Sequence, residues 1–211
     1  LQAGDLVTVT DYKGEILGTG FAEAGNIAVK LLTFDNRKID ASFWQERLNK
    51  AFELRKMMGL IDNEQTNCYR LVHSEGDNLP GLIIDIYGKT AVVQAQTEGM
   101  ALNVRNIADA LMTIPGLNII SVYNKSSEAM QRMGKDAVDD GYLIGEKSDD
   151  FVLENGSKFL IDWEKGQKTG FFLDQRNNRE LVRQLAKNKT VLNTFCYTGG
   201  FSVTALNGGA K

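Results

Sequence analysis

The sequence predicts an α/β protein assembled from successive units along the chain, and three observations carry that prediction. Short alternating apolar runs separated by turn formers fill residues 1–34. Apolar strand-like runs interrupted by an amphipathic stretch fill residues 63–165. The C-terminal stretch 168–205, KTGFFLDQRNNRELVRQLAKNKTVLNTFCYTGGFSVTA, reads as loop, helix, short apolar strand, glycine turn and second helix. A strand, a glycine turn and a helix in that order turn backbone N–H groups and a helix N-terminus toward a ligand. Glycine at the turn keeps a Cβ from holding the ligand away.

From the N-terminus, residues 5–10 (DLVTVT) alternate apolar and polar side chains, and residues 11–14 supply a turn. Residues 15–22 and 26–34 give two more strands around the turn at 23–26. Residues 40–60 read as a helix, capped either by Asp40 or by Ser42 with Gln45 at capping-box spacing. Phe43, Leu48, Ala51, Phe52 and Met58 form its apolar stripe, and Gly59 marks its end. Arg47, Lys50, Arg55 and Lys56 read as charges on an exposed face, which need no ligand.

In the central stretch, residues 68–73 are a strand and residues 74–81 a loop rich in turn formers. Residues 82–87 and 90–96 form a hairpin around Gly88 and Lys89. An amphipathic helix spans 100–113, ended by Pro115 and Gly116, and a strand spans 119–123. Residues 126–135 read as either a helical turn or a loop. A second hairpin, 151–153 with 158–163, turns on Asn155-Gly156. A helix follows over 174–187, with Leu181, Val182 and Leu185 toward the core and Arg176, Arg179, Arg183 and Lys187 mostly outside. Residues 190–195 then form a buried strand, and residues 201–206 start the last helix.

Composition narrows the function. Hydrophobic residues make up 43% and charged residues 24% of the chain, and apolar runs are too short to span a membrane. Neither end resembles a signal peptide, and both ends look cut. Cys68 and Cys196 lie far apart, with neither a disulfide framework nor metal-ligand spacing, which points to a reducing, cytoplasmic setting. The net charge of -3 argues against a uniformly basic nucleic-acid binder and leaves room for a local basic patch. His73, the sole histidine, has no orienting partner in sequence and reads as structural. Glu75, Asp77 and Asp85 read either as a carboxylate cluster or as a polar turn before a buried strand. The second is the simpler account.

Two motifs are more specific. KTGFFLDQRNNR at 168–179 followed by VLNTFCYTGGFSVTAL at 191–206 resembles the paired signature of one family of S-adenosylmethionine (SAM) dependent methyltransferases. Tyr69-Arg-Leu71 and EGDNLPGLIID at 75–85 extend the resemblance over most of the chain. Members of that family carry an N-terminal PUA RNA-binding domain and methylate carbon 5 of a cytosine in 23S-type large-subunit ribosomal RNA. The implied organisation is a partial PUA β-barrel at 1–38, a connecting helix at 39–62, a central α/β domain at 63–165, and the start of a Rossmann-like SAM methyltransferase domain at 166–211. The implied cofactor is SAM and the implied partner is large-subunit rRNA, without a membrane; monomer and homodimer stay open.

The resemblance assigns cofactor binding to the segments 168–176 and 195–200. Within them Lys168, Phe171, Phe172, Asp174, Gln175, Arg176, Phe195, Tyr197, Thr198, Gly199 and Gly200 are the candidate residues. Phe171, Phe172 and Tyr197 are apolar enough to wall an adenine slot. Arg176 suits a carboxylate or an RNA phosphate. Asp174 suits the cofactor cap and, equally, the N-cap of the helix behind it. Lys13, Lys30, Arg37 and Lys38 are the candidate RNA contacts. On residues alone they read as a solvated face, since acidic residues are interleaved among them.

Carbon 5 of cytosine is a poor nucleophile, and the family activates it with a cysteine thiolate that adds to carbon 6. The resemblance places that cysteine and an Asp-Pro-Pro-Lys segment beyond Lys211, and a ribose carboxylate about 20 residues past the glycine loop would fall there too. Cys196 therefore reads as a packing residue, no catalytic residue is expected within the chain, no metal site is expected, and a polypeptide ending at Lys211 is expected to be inactive. Two other readings stay open: a methyltransferase of the same architecture with another target atom, and a non-catalytic RNA-binding module. A dinucleotide dehydrogenase fits poorly, because the glycine pattern is not G-x-G-x-x-G.

Overall fold

The computed structural model describes residues 1–132, 134, 139–147 and 151–211. Strands β1 (Leu6–Thr10), β2 (Ile16–Ala22) and β3 (Val29–Thr33) form a three-stranded antiparallel sheet. This sheet docks on the rest of the protein through Phe21, whose ring covers Gly99 so closely that a Cβ there would overlap it.

Helix α1 (Ala41–Met57) follows. Its cap is Asp40, whose carboxylate accepts from the backbone N–H of Ser42 at 3.0 Å and of Phe43 at 3.2 Å. That settles the choice left open between Asp40 and Ser42. Phe43, Trp44, Leu48, Ala51 and Phe52 are buried on its inner face.

The centre is a five-stranded sheet in the order β4 (Cys68–His73), β5 (Leu82–Tyr87), β6 (Thr90–Ala95), β7 (Ser121–Asn124), β8 (Gly141–Ile144). Neighbours are antiparallel except β6 and β7, which run parallel. The parallel pair needs a crossover, supplied by α2 (Glu98–Leu102) and α3 (Val104–Leu111). The single helix expected over 100–113 is thus two helices. They part at Asn103, whose side chain donates to the Gly99 carbonyl at 2.8 Å. Helix α4 (Ser127–Arg132) makes residues 127–132 of the 126–135 stretch helical, with Ser126 outside the helix and Gly134 in a turn; residues 133 and 135 lie outside the described residues. Strand β8 escaped the sequence reading because four residues show too little alternation to register.

Side-chain alternation divides the sheet between two cores. Ile84, Ile86, Ala91, Val93 and Val122 face α1 and α3. Cys68, Tyr87, Val92 and Tyr123 face the opposite way, onto the hairpin β9 (Phe151–Glu154) and β10 (Ser157–Leu160) and the loop behind it. Tyr87 stacks on Trp163 there, centroids 6.1 Å apart and planes at 8°. The hairpin turns on Asn155 and Gly156 with φ of 49° and 75°, as that dipeptide predicts.

Helices α5 (Arg176–Leu185) and α6 (Gly200–Asn207) close the chain and pack on each other. Two expectations fail here. Helix α5 is turned the other way: Arg179 is 3% exposed, whereas Leu181 and Leu185 are 54% and 67% exposed. Pairing of Arg179 with the buried Glu154 fixes the inward face, and apolar periodicity alone does not reveal such a partner. The expected strand at 190–195 is irregular and its residues 190–192 are exposed. A strand needs a neighbour to satisfy its backbone groups, and no described strand lies beside this one.

Candidate functional site

The loop 168–176 is braced against the central sheet from below. Asp85 on β5 is fully buried and holds Arg70 in a two-point ion pair, Nε to Oδ1 at 2.8 Å and Nη2 to Oδ2 at 2.9 Å. Thr169 donates its hydroxyl to the same carboxylate at 2.6 Å, and the Tyr87 hydroxyl lies 3.2 Å from that Thr169 oxygen. Burial, followed by the Asp85 charge, pushes the Tyr87 phenol well above its ordinary pKa, so it stays a neutral hydroxyl. Glu75, Asp77 and Asp85 do not form a carboxylate cluster. Asp77 pairs with Arg55, Asp85 with Arg70, and Glu75 lies 3.8 Å from Lys30. Among the described residues no group of three or more His, Cys, Asp or Glu is placed to hold a metal ion.

Glycine shapes the same loop. Gly170 has a φ of 117°, and a Cβ on it would press within 2.9 Å of the Trp163 backbone. Gly166 leaves room for the Tyr197 hydroxyl, which accepts from the Gln167 N–H at 2.9 Å.

Through Tyr197 the two sequence-predicted segments meet. The Phe172 and Tyr197 rings touch edge to face at 5.4 Å, and the Lys168 ammonium sits 4.9 Å from the Phe172 centroid. Phe171 turns into the core, 5.1 Å from the Phe159 ring. Asp174 is exposed and accepts from the Gln175 side chain at 3.0 Å. It does not cap α5; Gln175 holds the cap position without a side-chain bond. Arg176 points inward, donating to the Cys68 carbonyl and lying 3.6 Å from Glu154. Its buried Nε has no hydrogen-bond partner.

The second segment carries three left-handed residues, Phe195, Tyr197 and Gly199, with φ of 59°, 49° and 76°. Non-glycine residues hold that conformation only when their surroundings or a bound group compensate the strain. Gly199 caps α6 with no side chain to satisfy the first amides, and a Cβ built on it meets nothing within 4 Å. These amides and the helix dipole behind them suit a carboxylate. Thr198 and Gly200 complete the loop, and Phe195 is fully exposed. The residues present therefore fit the amino-acid end of SAM.

Beside the first loop lies a cleft of about 630 Å³, lined by Arg70, His73, Gln94, Arg132, Lys168 and Phe172 among others. Arg70, Arg132 and Lys168 face Glu75, Glu128 and Asp174 across its lining, so the cleft is lined by both signs of charge. Arg132 is paired with Glu128 and Arg70 with Asp85. Of the basic side chains on the N-terminal unit, Arg37 is engaged with Glu46 at 2.6 Å and Lys30 faces Glu75, while Lys13 and Lys38 are exposed. Arg179 and Glu154, absent from the sequence-predicted set, sit between the two segments. The signal for them was the last arginine of the first motif, three residues past the segment assigned to the cofactor and on an expected solvent face.

A mixed sheet that braces one loop of the site, with a left-handed glycine turn at the head of a helix beside it and a polar cleft alongside, defines an α/β protein suited to hold a small charged cofactor. A family model described as S-adenosylmethionine-dependent methyltransferase matches residues 70–211, and one described as a PUA-like domain matches residues 1–34. The chain belongs to the S-adenosylmethionine-dependent methyltransferase family, whose cofactor is SAM.

Similar curated proteins are both described as ribosomal RNA large subunit methyltransferase I. The one from Tolumonas auensis is 38% identical over 215 residues, covering 100% of this chain and 53% of the relative. The one from Escherichia coli is 35% identical over 212 residues, covering 99% and 52%. The chain thus spans about half the length of the curated relatives it matches. Among solved structures, a candidate SAM-dependent methyltransferase from Streptococcus mutans superposes with a TM-score of 0.82 at 26% identity, covering 99% of this chain and 54% of its own. Another methyltransferase candidate, solved in complex with SAH, gives 0.83 at 26% identity, covering 99% and 53%.

Proposed function

We propose that this chain is the cofactor-holding and RNA-facing part of an enzyme that methylates carbon 5 of a cytosine in large-subunit ribosomal RNA. The observation that carries the reading is the meeting of the two motif segments at Phe172 and Tyr197, beside a polar cleft. Residues 1–38 serve as part of a PUA domain, 39–62 as the connector, 63–165 as the central α/β domain and 166–211 as the beginning of the methyltransferase domain.

In this reading the loop 195–200 and the first amides of α6 hold the cofactor's carboxylate. Phe172 and Tyr197 flank its apolar part, while Lys168, Asp174 and Gln175 close over it. Phe171 and Arg176 support this wall from behind. SAM, when bound, supplies an electrophilic methyl group. Lys13, Lys30, Arg37 and Lys38 steer the RNA backbone, and Lys168 favours the phosphate of the target nucleotide in the cleft.

Activation of carbon 5 falls to a cysteine outside residues 1–211. Cys68 is buried, with its thiol pushed up to about 12 chiefly by burial. Cys196 lies in the cofactor loop, at the wrong end for the base. A polypeptide confined to these residues then transfers no methyl group.

The test is methyl transfer by the full-length protein from labelled SAM to large-subunit rRNA, followed by nucleoside mass spectrometry. Labelled 5-methylcytidine is the expected product. Label in another nucleoside reassigns the target atom. Turnover by residues 1–211 alone overturns the division of labour.

A further inference from the structure

We propose that Arg179, held by Glu154, is a positioning residue that fixes the two cofactor segments relative to each other. This rests on the cofactor reading above. Arg179 is 3% exposed and bonds Glu154 at two points, Nε to Oε1 at 2.6 Å and Nη2 to Oε2 at 2.7 Å. The same Nη2 donates to the Phe172 carbonyl at 3.0 Å, and the guanidinium carbon lies 4.3 Å from the Phe171 ring centroid. These two contacts hold consecutive residues of the first segment.

The aliphatic stem of the same side chain lies beside the second segment. A Cβ built on Gly200 would lie 3.4 Å from Arg179 Cδ and 3.5 Å from the Phe171 ring. Gly200, at the head of α6, therefore faces the Arg179–Phe171 pair across a gap that a single methyl group would fill. One side chain thus spans both segments, and its position is set by a carboxylate on the separate hairpin strand β9.

The chemistry requires arginine. A planar fork binds a carboxylate at two points, keeps a third donor for the carbonyl and lays its face on an aromatic ring. Lysine offers one compact charge and cannot do all three. Glu154 is 3% exposed and also lies 3.6 Å from Arg176, so one buried carboxylate anchors two arginines of the motif region. A displacement of the segments by a fraction of an ångström at this point is carried to the amides that face the cofactor.

The experiment measures SAH binding by calorimetry on the full-length protein, together with thermal unfolding, at a temperature where every variant is folded. The variants are Arg179→Met, Arg179→Lys and Glu154→Gln. Phe52→Leu, on the inner face of α1 and in the core cluster that does not include Phe171, serves as the stability control. Arg179→Met and Glu154→Gln are expected to weaken SAH binding about tenfold or more, and Arg179→Lys to recover part of that loss. Phe52→Leu is expected to lower Tm with SAH affinity unchanged.

Wild-type affinity in both Arg179→Met and Glu154→Gln overturns the inference and leaves the cofactor reading standing. So does an affinity that falls in Phe52→Leu in proportion to Tm, since binding would then follow stability alone. If Arg179→Met does not fold, Glu154→Gln and Arg179→Lys decide. A wild-type protein that takes up no SAH overturns the cofactor reading, and this inference with it.

Discussion

Thr169 donates its hydroxyl to the buried carboxylate of Asp85 at 2.6 Å, joining residues 84 positions apart. Asp85 already holds Arg70 at two points, so the threonine is its third donor and the link between the 168–176 loop and the sheet. Replacing Thr169 by valine keeps the shape and removes the donor. Stability is expected to fall by about 1–3 kcal/mol in chemical denaturation, while serine in its place keeps most of it. Asp85→Asn is expected to cost more, about 3–5 kcal/mol, because it leaves Arg70 facing a neutral partner.

A second buried pair lies under the loop that begins at His73. Arg55 of α1 reaches Asp77 at two points and donates to the Arg70 carbonyl at 2.9 Å, while Asp77 also accepts from the His73 N–H at 2.5 Å. The two side chains are 9% and 4% exposed. Arg55→Met strands a buried carboxylate and is expected to cost about 3–5 kcal/mol. The double variant Arg55→Met, Asp77→Leu is expected to be less destabilised than the two single variants summed. A double-mutant cycle in urea reads this coupling, and strict additivity counts against it.

How much of this was legible beforehand depended on the kind of signal. Turn chemistry was legible: Asn155-Gly156 and Gly88-Lys89 lie where hairpins were expected. Helix α1 was legible in its extent and in Phe43, Leu48, Ala51 and Phe52, whereas its cap was left open, Met58 of its expected stripe is exposed, and Arg55, expected on the exposed face, is buried. The central strands were readable as apolar runs, but their pairing order was not, since order depends on contacts between residues far apart in sequence. The facing of α5 was misread for the same reason. Its inward residue is an arginine whose partner, Glu154, lies 25 positions earlier. The roles of Arg70, Arg55 and Arg179 all depend on a distant carboxylate. Sequence periodicity treats a paired buried arginine and a solvated one alike.

The basic residues of the N-terminal unit divide into engaged and free-facing groups, and RNA binding is expected to divide with them. Among the described residues Lys13 and Lys38 carry no ion pair, whereas Arg37 is tied to Glu46 and also lies 5.3 Å from the Phe43 ring. Lys13→Ala and Lys38→Ala are each expected to lower the salt slope of rRNA binding by about one. Arg37→Ala is expected to change it less, because the arginine must leave a carboxylate before it can meet a phosphate. Filter binding over a potassium chloride series reads these slopes. A larger drop for Arg37→Ala than for Lys13→Ala runs against the assignment.

The two cysteines are expected to differ sharply in reactivity. Cys68 is buried under the hairpin, its thiol 3.4 Å from the Leu153 carbonyl, whereas Cys196 is exposed. Burial, then the charge of Glu154, raises the Cys68 thiol from 9.0 to about 12, against the opposing pull of Arg176 and Arg179. Iodoacetamide at pH 8 is therefore expected to label Cys196 in the folded protein and Cys68 only after denaturation, as peptide mapping would reveal. The same shift has a sign for stability. The folded state keeps a proton that the unfolded chain gives up above pH 9, so this contribution is complete below pH 9 and is lost as pH climbs toward about 12. Tyr69, also raised to about 12 by burial and by the Asp62 charge, acts in the same direction from its ordinary value of 10.0. Cys68→Ala is thus expected to start less stable near neutrality and to lose stability less steeply between pH 9 and 11. Parallel decline of variant and wild type over that range would mean that the thiol ionises as readily inside the fold as outside it.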